Sequence, residues 1–175
     1  MATPLYVGLG NIRVLSCDLS THQLFYRYDG GSNGYEREDN HKKMIDDLRK
    51  GVVGTAEPNV HDLLWNSKNI TFTTNNCDVI EECDIIFTLV ATPSLDDGSY
   101  DVSAVWKVVE DFKIAAKEKE VFNKSLVVGC TTNPGDCDEI QDHLSVDPDT
   151  FGVNVFYNPE FIAQGTIIKD LQNAD

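Results

Sequence analysis

Two glycines, Gly8 and Gly10, follow the apolar run Leu5-Tyr6-Val7, and an acid, Asp29, closes a second β-rich run, Leu24–Tyr28. Residues of these types at this spacing can hold a dinucleotide. The first glycine makes a tight turn, the second lets the backbone approach a pyrophosphate, and an acid about twenty residues on accepts hydrogen bonds from a ribose. The segment Val7-Gly8-Leu9-Gly10-Asn11-Ile12-Arg13 carries that meaning where it leaves a strand and opens a helix, which is the context the pattern predicts here. A turn that needs flexible residues is the other reading of the pair.

Three further segments could do chemistry. Val90-Ala91-Thr92-Pro93-Ser94 directly follows the apolar run Ile85–Val90. It reads either as a proline turn ending a strand or as a turn beside a ligand, since ligands of doubly wound sheets lie outside the carboxyl ends of the strands. Val128-Gly129-Cys130-Thr131-Thr132-Asn133-Pro134-Gly135 also leaves a β-rich run. The third segment is Tyr157-Asn158-Pro159-Glu160-Phe161-Ile162-Ala163-Gln164-Gly165-Thr166, continued by Ile167-Ile168-Lys169-Asp170-Leu171. An isolated Pro-Glu pair would be an ordinary exposed loop acid; the length of the segment is what singles this one out.

These motifs, in this order, resemble those of the UDP-glucose/GDP-mannose (nucleotide-sugar) 6-dehydrogenase family. The third is similar to its N-P-E-F-[LI]-x-x-G-x-[AI]-[IV]-x-D-[FL] signature, Val90–Ser94 to its [VN]-x-T-P-[TS] turn, and Val128–Gly135 to its [ES]-S-T-V-x-P-G segment. Leu95–Asp101 resembles the family's acidic loop, and Glu57-Pro58 its E-P-G-L segment. The resemblance implies an NAD-dependent oxidation of a sugar C6 alcohol to a carboxylate, with NAD the cofactor and a nucleotide sugar of the UDP-glucose or UDP-N-acetyl-hexosamine type the substrate. It assigns Glu160 as the base that activates water for thioester hydrolysis, a task suited to a partly desolvated carboxylate, and Thr131 as the hydroxyl that helps position that water. It sets Gly8, Leu9, Gly10, Asn11, Ile12, Arg13, Asp29, Val90, Thr92, Pro93, Cys130 and Gln164 against the cofactor and Phe161 and Ile162 against the substrate. Cys130 stands where serine is usual and reads as a buried inert thiol; the catalytic thiol belongs, by the same resemblance, to a further domain. The expectation is an NAD-binding domain over residues 1–175, inactive alone, with central and C-terminal domains beyond it.

The chain departs from the family in places. Arg13 occupies the position of the third glycine, where close packing of helix on strand is usual. Either its guanidinium faces phosphate or solvent, or the site has decayed. Gln164 replaces an acid. A 6-phosphogluconate-type dehydrogenase shares the fold, but its G-x-x-x-N lysine pattern is absent. A stand-alone nucleotide-binding protein and a ligand-free remnant are the non-enzymatic alternatives.

The 175 residues, 41% apolar and 25% charged, are enough for one domain with a core. Fourteen basic against 29 acidic side chains, a formal charge of -15 with no Lys/Arg cluster to relieve it, argue against a phosphate-tracking nucleic-acid surface. A dinucleotide stays compatible, because backbone N–H groups at a helix N-terminus hold a pyrophosphate without basic side chains. The five cysteines show no metal-ligand spacing, so no metal is expected, and they read as reduced thiols. There is no basic leader and no run long enough for a membrane span, so the expected setting is cytoplasmic, with no membrane or nucleic-acid partner and a homo-oligomer compatible. Asn69-Ile70-Thr71 and Asn123-Lys124-Ser125 read as chance matches to the glycosylation pattern.

The elements that must position these residues alternate in type, as in an α/β, Rossmann-like, doubly wound and mostly parallel sheet with helices on both faces. The periodicity predicts strands over Leu5–Val7, Leu24–Tyr28, Ile70–Thr73, Asp84–Val90, Ser125–Gly129 and Val153–Tyr157. It predicts helices over Ile12–Leu19, Asp39–Arg49, Pro58–Trp65, Cys77–Glu82, Val102–Lys119 and Asp136–Leu144. Asp101 reads as an N-cap, with Val102, Val105, Val109 and Phe112 as a core stripe. The run Ile85–Val90 belongs at the centre of the sheet. Gly30–Gly34 reads as a surface connection, and no internal repeat divides the chain.

Overall fold

The computed structural model describes residues 5–9, 12–16, 43, 46–52, 58–59, 61–62, 65, 70–73, 76–119 and 122–159. Within them the strands are β1 (Leu5–Leu9), β2 (Ile12–Ser16), β3 (Ile70–Thr73), β4 (Ile85–Leu89), β5 (Ser125–Val128) and β6 (Asn154–Tyr157). They form one six-stranded sheet in the order β3-β2-β1-β4-β5-β6. The pairs β1–β4, β4–β5 and β5–β6 are parallel, and β2 runs antiparallel to both β1 and β3. The order is that of a doubly wound sheet, and the α/β, Rossmann-like expectation holds.

One element corrects the sequence reading. Ile12–Ser16 is a strand, not the start of a helix over Ile12–Leu19. It returns directly on β1, with Leu9 opposite Ile12 and Gly8 opposite Arg13. The physical reason is in the residues. β-Branched Ile12 and Val14 favour a pleated strand over a helix, and Gly10-Asn11, the two residues between the paired positions, is a two-residue hairpin dipeptide. The predicted strand Leu24–Tyr28 lies outside the described residues, and β2 takes the sheet position between β1 and β3.

Helices α1 (Asn76–Glu82), α2 (Ser103–Lys119) and α3 (Asp136–Ser145) match their predicted spans to within one residue. Residues 46–49 are helical, as are 61, 62 and 65, inside the two other predicted helices. α1 packs on α2 and α2 on α3, so the three form one layer. Asp101 accepts the Ser103 N–H at 2.9 Å, the bond a capping acid makes, and that donor holds its carboxyl below the ordinary carboxylate value.

Three of the four residues of the predicted stripe lie in α2 and in the core, while Val102 precedes the helix and packs half-buried against that core. Val105, Val109 and Phe112 are fully buried, joined by Ala115 and Ala116 of the same helix, by Val79 and Ile80 of α1, and by Ile140 and Leu144 of α3. Each large apolar side chain so buried contributes about 1.5–3 kcal/mol. β4 lies centrally, between β1 and β5, as its apolar run requires, with Ile86 and Thr88 buried and Ile85, Phe87 and Leu89 half-buried. β5 is buried on successive residues, Leu126, Val127 and Val128, the mark of a strand covered on both faces. Where β4 begins, buried Lys124 donates to the Glu81 carbonyl at 3.2 Å and pairs with Asp84 at 3.7 Å, which ties the end of α1 to the start of the strand.

Candidate functional site

Thr88 of β4 lies opposite Val128 of β5, and Val128 opposite Tyr157 of β6. Because the strands are parallel and in register, the segments that leave them emerge along one edge, where doubly wound sheets take their ligands. Those segments contain Thr92-Pro93, Cys130-Thr131-Thr132 and Asn158-Pro159.

The segment after β4 is a closed loop. The Asp101 N–H donates to the Pro93 carbonyl at 2.9 Å, Leu95 N–H to Ser99 at 2.8 Å, and Ser94 bridges Tyr100. At its tip the Asp97 carboxylate accepts the Ser99 hydroxyl at 2.6 Å and the Ser99 N–H at 3.0 Å, which hold its pKa below the ordinary value. Val90 and Thr92 are half-buried, and Pro93 is exposed.

The segment after β5 starts at buried Gly129, whose N–H donates to the Thr88 carbonyl at 2.9 Å. A Cβ there would stand 2.6 Å from Leu89 Cδ2, so the missing side chain lets the ends of β4 and β5 draw together. Cys130 packs against the core, and burial pushes its thiol above the ordinary value despite a backbone contact from Val90. A thiol raised in this way stays protonated at neutral pH and is a poor nucleophile, in line with an inert cysteine. Thr131 is exposed. Half-buried Thr132 has its hydroxyl 4.0 Å from Cys137 Sγ, a second thiol pushed up by burial.

The segment after β6 is anchored by Asn158, whose N–H donates to the Val128 carbonyl at 2.9 Å. Pro159 is half-buried and ends the described chain. The expected catalytic Glu160, the expected substrate contacts Phe161 and Ile162, and Gln164 lie outside the described residues, as do Gly10, Asn11 and Asp29. Gly8 and Leu9 end β1, and Ile12 and Arg13 open β2. The structure therefore brings Val90, Thr92, Pro93, Cys130 and Thr131 to one edge. It does not build a helix on Ile12–Ser16 to present its N-terminus to a phosphate.

Two residues of this edge escape the sequence reading. The Asn133 side chain accepts the Tyr100 N–H through Oδ1 at 2.7 Å and donates from Nδ2 to the Tyr100 carbonyl at 3.0 Å. It joins the loops after β4 and β5. The available signal was an Asn three residues before the first helical acid, Asp136, since Asn and Asp side chains there bond to nearby backbone groups. Nothing local in the sequence points to Tyr100. Among the described residues no group of three or more His, Cys, Asp or Glu could hold a metal ion, and no helix is long and apolar enough to cross a membrane.

The sequence model of the UDP-glucose/GDP-mannose dehydrogenase family, NAD binding domain, matches residues 38–175. The chain belongs to the UDP-glucose/GDP-mannose dehydrogenase family. YtcA of Bacillus subtilis, provisionally named a UDP-glucose 6-dehydrogenase, is 32% identical over 136 residues, which are 76% of this chain and 30% of that protein. The UDP-glucose 6-dehydrogenase of Pseudomonas aeruginosa is 29% identical over 139 residues, 77% of this chain and 30% of the relative. The ternary complex of a GDP-mannose dehydrogenase from Pseudomonas aeruginosa superposes with a TM-score of 0.67 at 25% identity, over 75% of this chain and 32% of the other. A UDP-glucose dehydrogenase of Pyrobaculum islandicum, at 23% identity and a TM-score of 0.68, shares the fold over 77% of this chain. The chain thus spans about three tenths of the length of the relatives it matches.

The cofactor of this family's domain is NAD. Two observations bear on the fit. Half-buried Thr92 and exposed Thr131 stand on the segments that leave β4 and β5, at the edge where doubly wound sheets take their ligands. The hairpin β1–β2 supplies no helix N-terminus for its pyrophosphate, and the family match itself begins only after it, at residue 38.

Proposed function

We propose that this chain is the NAD-binding part of an oxidoreductase that converts the C6 alcohol of a nucleotide sugar, of the UDP-glucose or UDP-N-acetyl-hexosamine class, to a carboxylate. The observation that carries the reading is the family match over residues 38–175 falling on the loops that converge after β4, β5 and β6. NAD, when bound, accepts hydride from the sugar carbon. The chain's own residues hold and orient. Thr92 and Pro93 border the cofactor on one side and Cys130 and Thr131 on the other, with Gly129 keeping the two strand ends close. Thr131 positions water, and Glu160 takes its proton in the hydrolytic half of the reaction. Phe161 and Ile162 border the sugar, and Gln164 the cofactor. The glycine-to-Asp29 segment is not assigned the usual phosphate cradle, since the chain from Ile12 runs as a strand.

Among the described residues of this edge the two thiols, Cys130 and Cys137, are pushed up by burial and are poor nucleophiles, so in this reading the covalent step takes its nucleophile from another part of the whole enzyme and the chain alone is inactive. The work of such an enzyme is in polysaccharide-precursor synthesis in the cytoplasm. Amide chemical shifts during an NAD+ titration test the reading. Thr92, Cys130, Thr131 and Asn158 shift together, while Asp84 and Lys124, at the opposite edge, do not. Shifts confined to the opposite edge, or none, would overturn it.

A further inference from the structure

We propose that Asn133 is a positioning residue that locks the loop after β4 to the loop after β5 and so presets the cofactor-facing edge. The inference rests on the NAD reading above and adds to it a residue that the family pattern leaves as any amino acid.

The geometry is that of a peptide group supplied by a side chain. Tyr100 offers Asn133 both of its backbone groups, the N–H to Oδ1 at 2.7 Å and the carbonyl to Nδ2 at 3.0 Å. A strand neighbour would satisfy a residue in the same paired way. The loop that carries Tyr100 is already closed on itself by the Ser94–Tyr100 bridge and by Asp101 N–H to Pro93. What grips Tyr100 therefore grips Thr92-Pro93 as well. On its other side Asn133 is itself held. Its N–H donates to Asp136 Oδ2 at 2.7 Å and its Nδ2 to the same oxygen at 3.0 Å, while the Asp136 N–H returns to the Asn133 carbonyl at 3.2 Å. Asp136 opens α3, whose Ile140 and Leu144 are fixed in the core. The linkage runs from a rigid helix through one half-buried amide to the turn after β4, and Thr131 lies two residues before that amide.

Such a clamp acts on ligand affinity through preorganisation. Two loops that must be ordered around a ligand charge that ordering against binding, whereas loops already joined do not. Loss of the clamp frees the Thr92 turn relative to Thr131 without removing any group that touches the cofactor.

The test uses the 175-residue chain and two readouts. Amide hydrogen exchange at Tyr100 and Asp101 reports the clamp directly and needs no cofactor; calorimetric titration with NAD+, at a temperature where each protein is fully folded, reports its use. In N133A, exchange at these two amides speeds up while the Ile86 and Val128 amides keep their protection. The dissociation constant for NAD+ rises about tenfold, which converts to ~1.4 kcal/mol, the scale of one or two net hydrogen bonds. N133D keeps the volume and the acceptor for Tyr100 but loses both donors and sets a second carboxylate against Asp136. It gives at least as large a rise, and it serves if N133A does not fold. Unchanged exchange in both variants overturns the clamp. Faster exchange with an unchanged dissociation constant, or a lowered melting temperature alone, overturns the positioning role and leaves a structural residue. No binding of NAD+ by the unsubstituted chain overturns the functional reading instead, and the exchange result still decides the clamp.

Discussion

At Arg13 the residue type and the backbone it adopts meet most directly. As the third position of a glycine fingerprint, an arginine would crowd a helix packed on β1, and its replacement by glycine would relieve that crowding. In the hairpin it is instead a strand residue between Gly8 and Thr73. The expected effect of Arg13→Gly then changes sign. Glycine within a strand costs backbone entropy, roughly 0.5–1 kcal/mol, so thermal unfolding comes slightly earlier and NAD+ affinity does not improve. Paired melting curves and NAD+ titrations check this, and tighter binding by the variant would argue for a helix at Ile12 after all. Glu160 carries the other prediction at this scale. In a protein that joins this domain to a matching catalytic part, Glu160→Gln slows hydrolysis of the covalent intermediate more than the first hydride transfer, because the proposed loss is of proton abstraction from water. Rapid-quench analysis detects the accumulated adduct. Equal slowing of both steps would make Glu160 a binding residue.

Among the elements, those built on long periodic patterns were legible and those decided by a turn were not. α2 could be read from Val105, Val109 and Phe112 recurring on one face and from Asp101 ahead of them, and both the buried stripe and the capping bond are present. β4 could be placed at the centre of the sheet because no polar face interrupts it. β2 could not, because Gly8-x-Gly10 serves a helix-opening cradle and a hairpin equally well, and only the β-branched residues after Gly10-Asn11 separate the two. The Asn133–Tyr100 clamp was illegible for a different reason. Its partners are 33 residues apart, and the bonds use the backbone of Tyr100, which has no sequence signature. At the opposite edge the connection before β6 turns at Gly152, with φ 78°. A Cβ there would collide with the Asn123 side chain and stand 3.3 Å from its Cα. Gly152→Ala lowers stability by roughly 1–3 kcal/mol, the cost of a left-handed non-glycine residue with little room to relax. Urea unfolding measures it, and a neutral result would mean that this turn readily changes conformation.

For the molecule as a whole, a formal charge of -15 coexists with membership of a family whose cofactor carries phosphates. The conflict resolves if the affinity comes from backbone groups and hydroxyls on loops set by the sheet rather than from charge. That is the central claim: the converging edge after β4, β5 and β6 suffices to hold NAD even though β1 returns as a hairpin instead of opening a helix. It separates this chain from a remnant that keeps the family's fold without its ligand. Calorimetric titration of the 175-residue chain with NAD+ at moderate ionic strength tests it most directly. The account predicts saturable binding of one NAD+ per chain, weakened by N133A and not strengthened by Arg13→Gly; a flat titration with protein shown to be folded would contradict it.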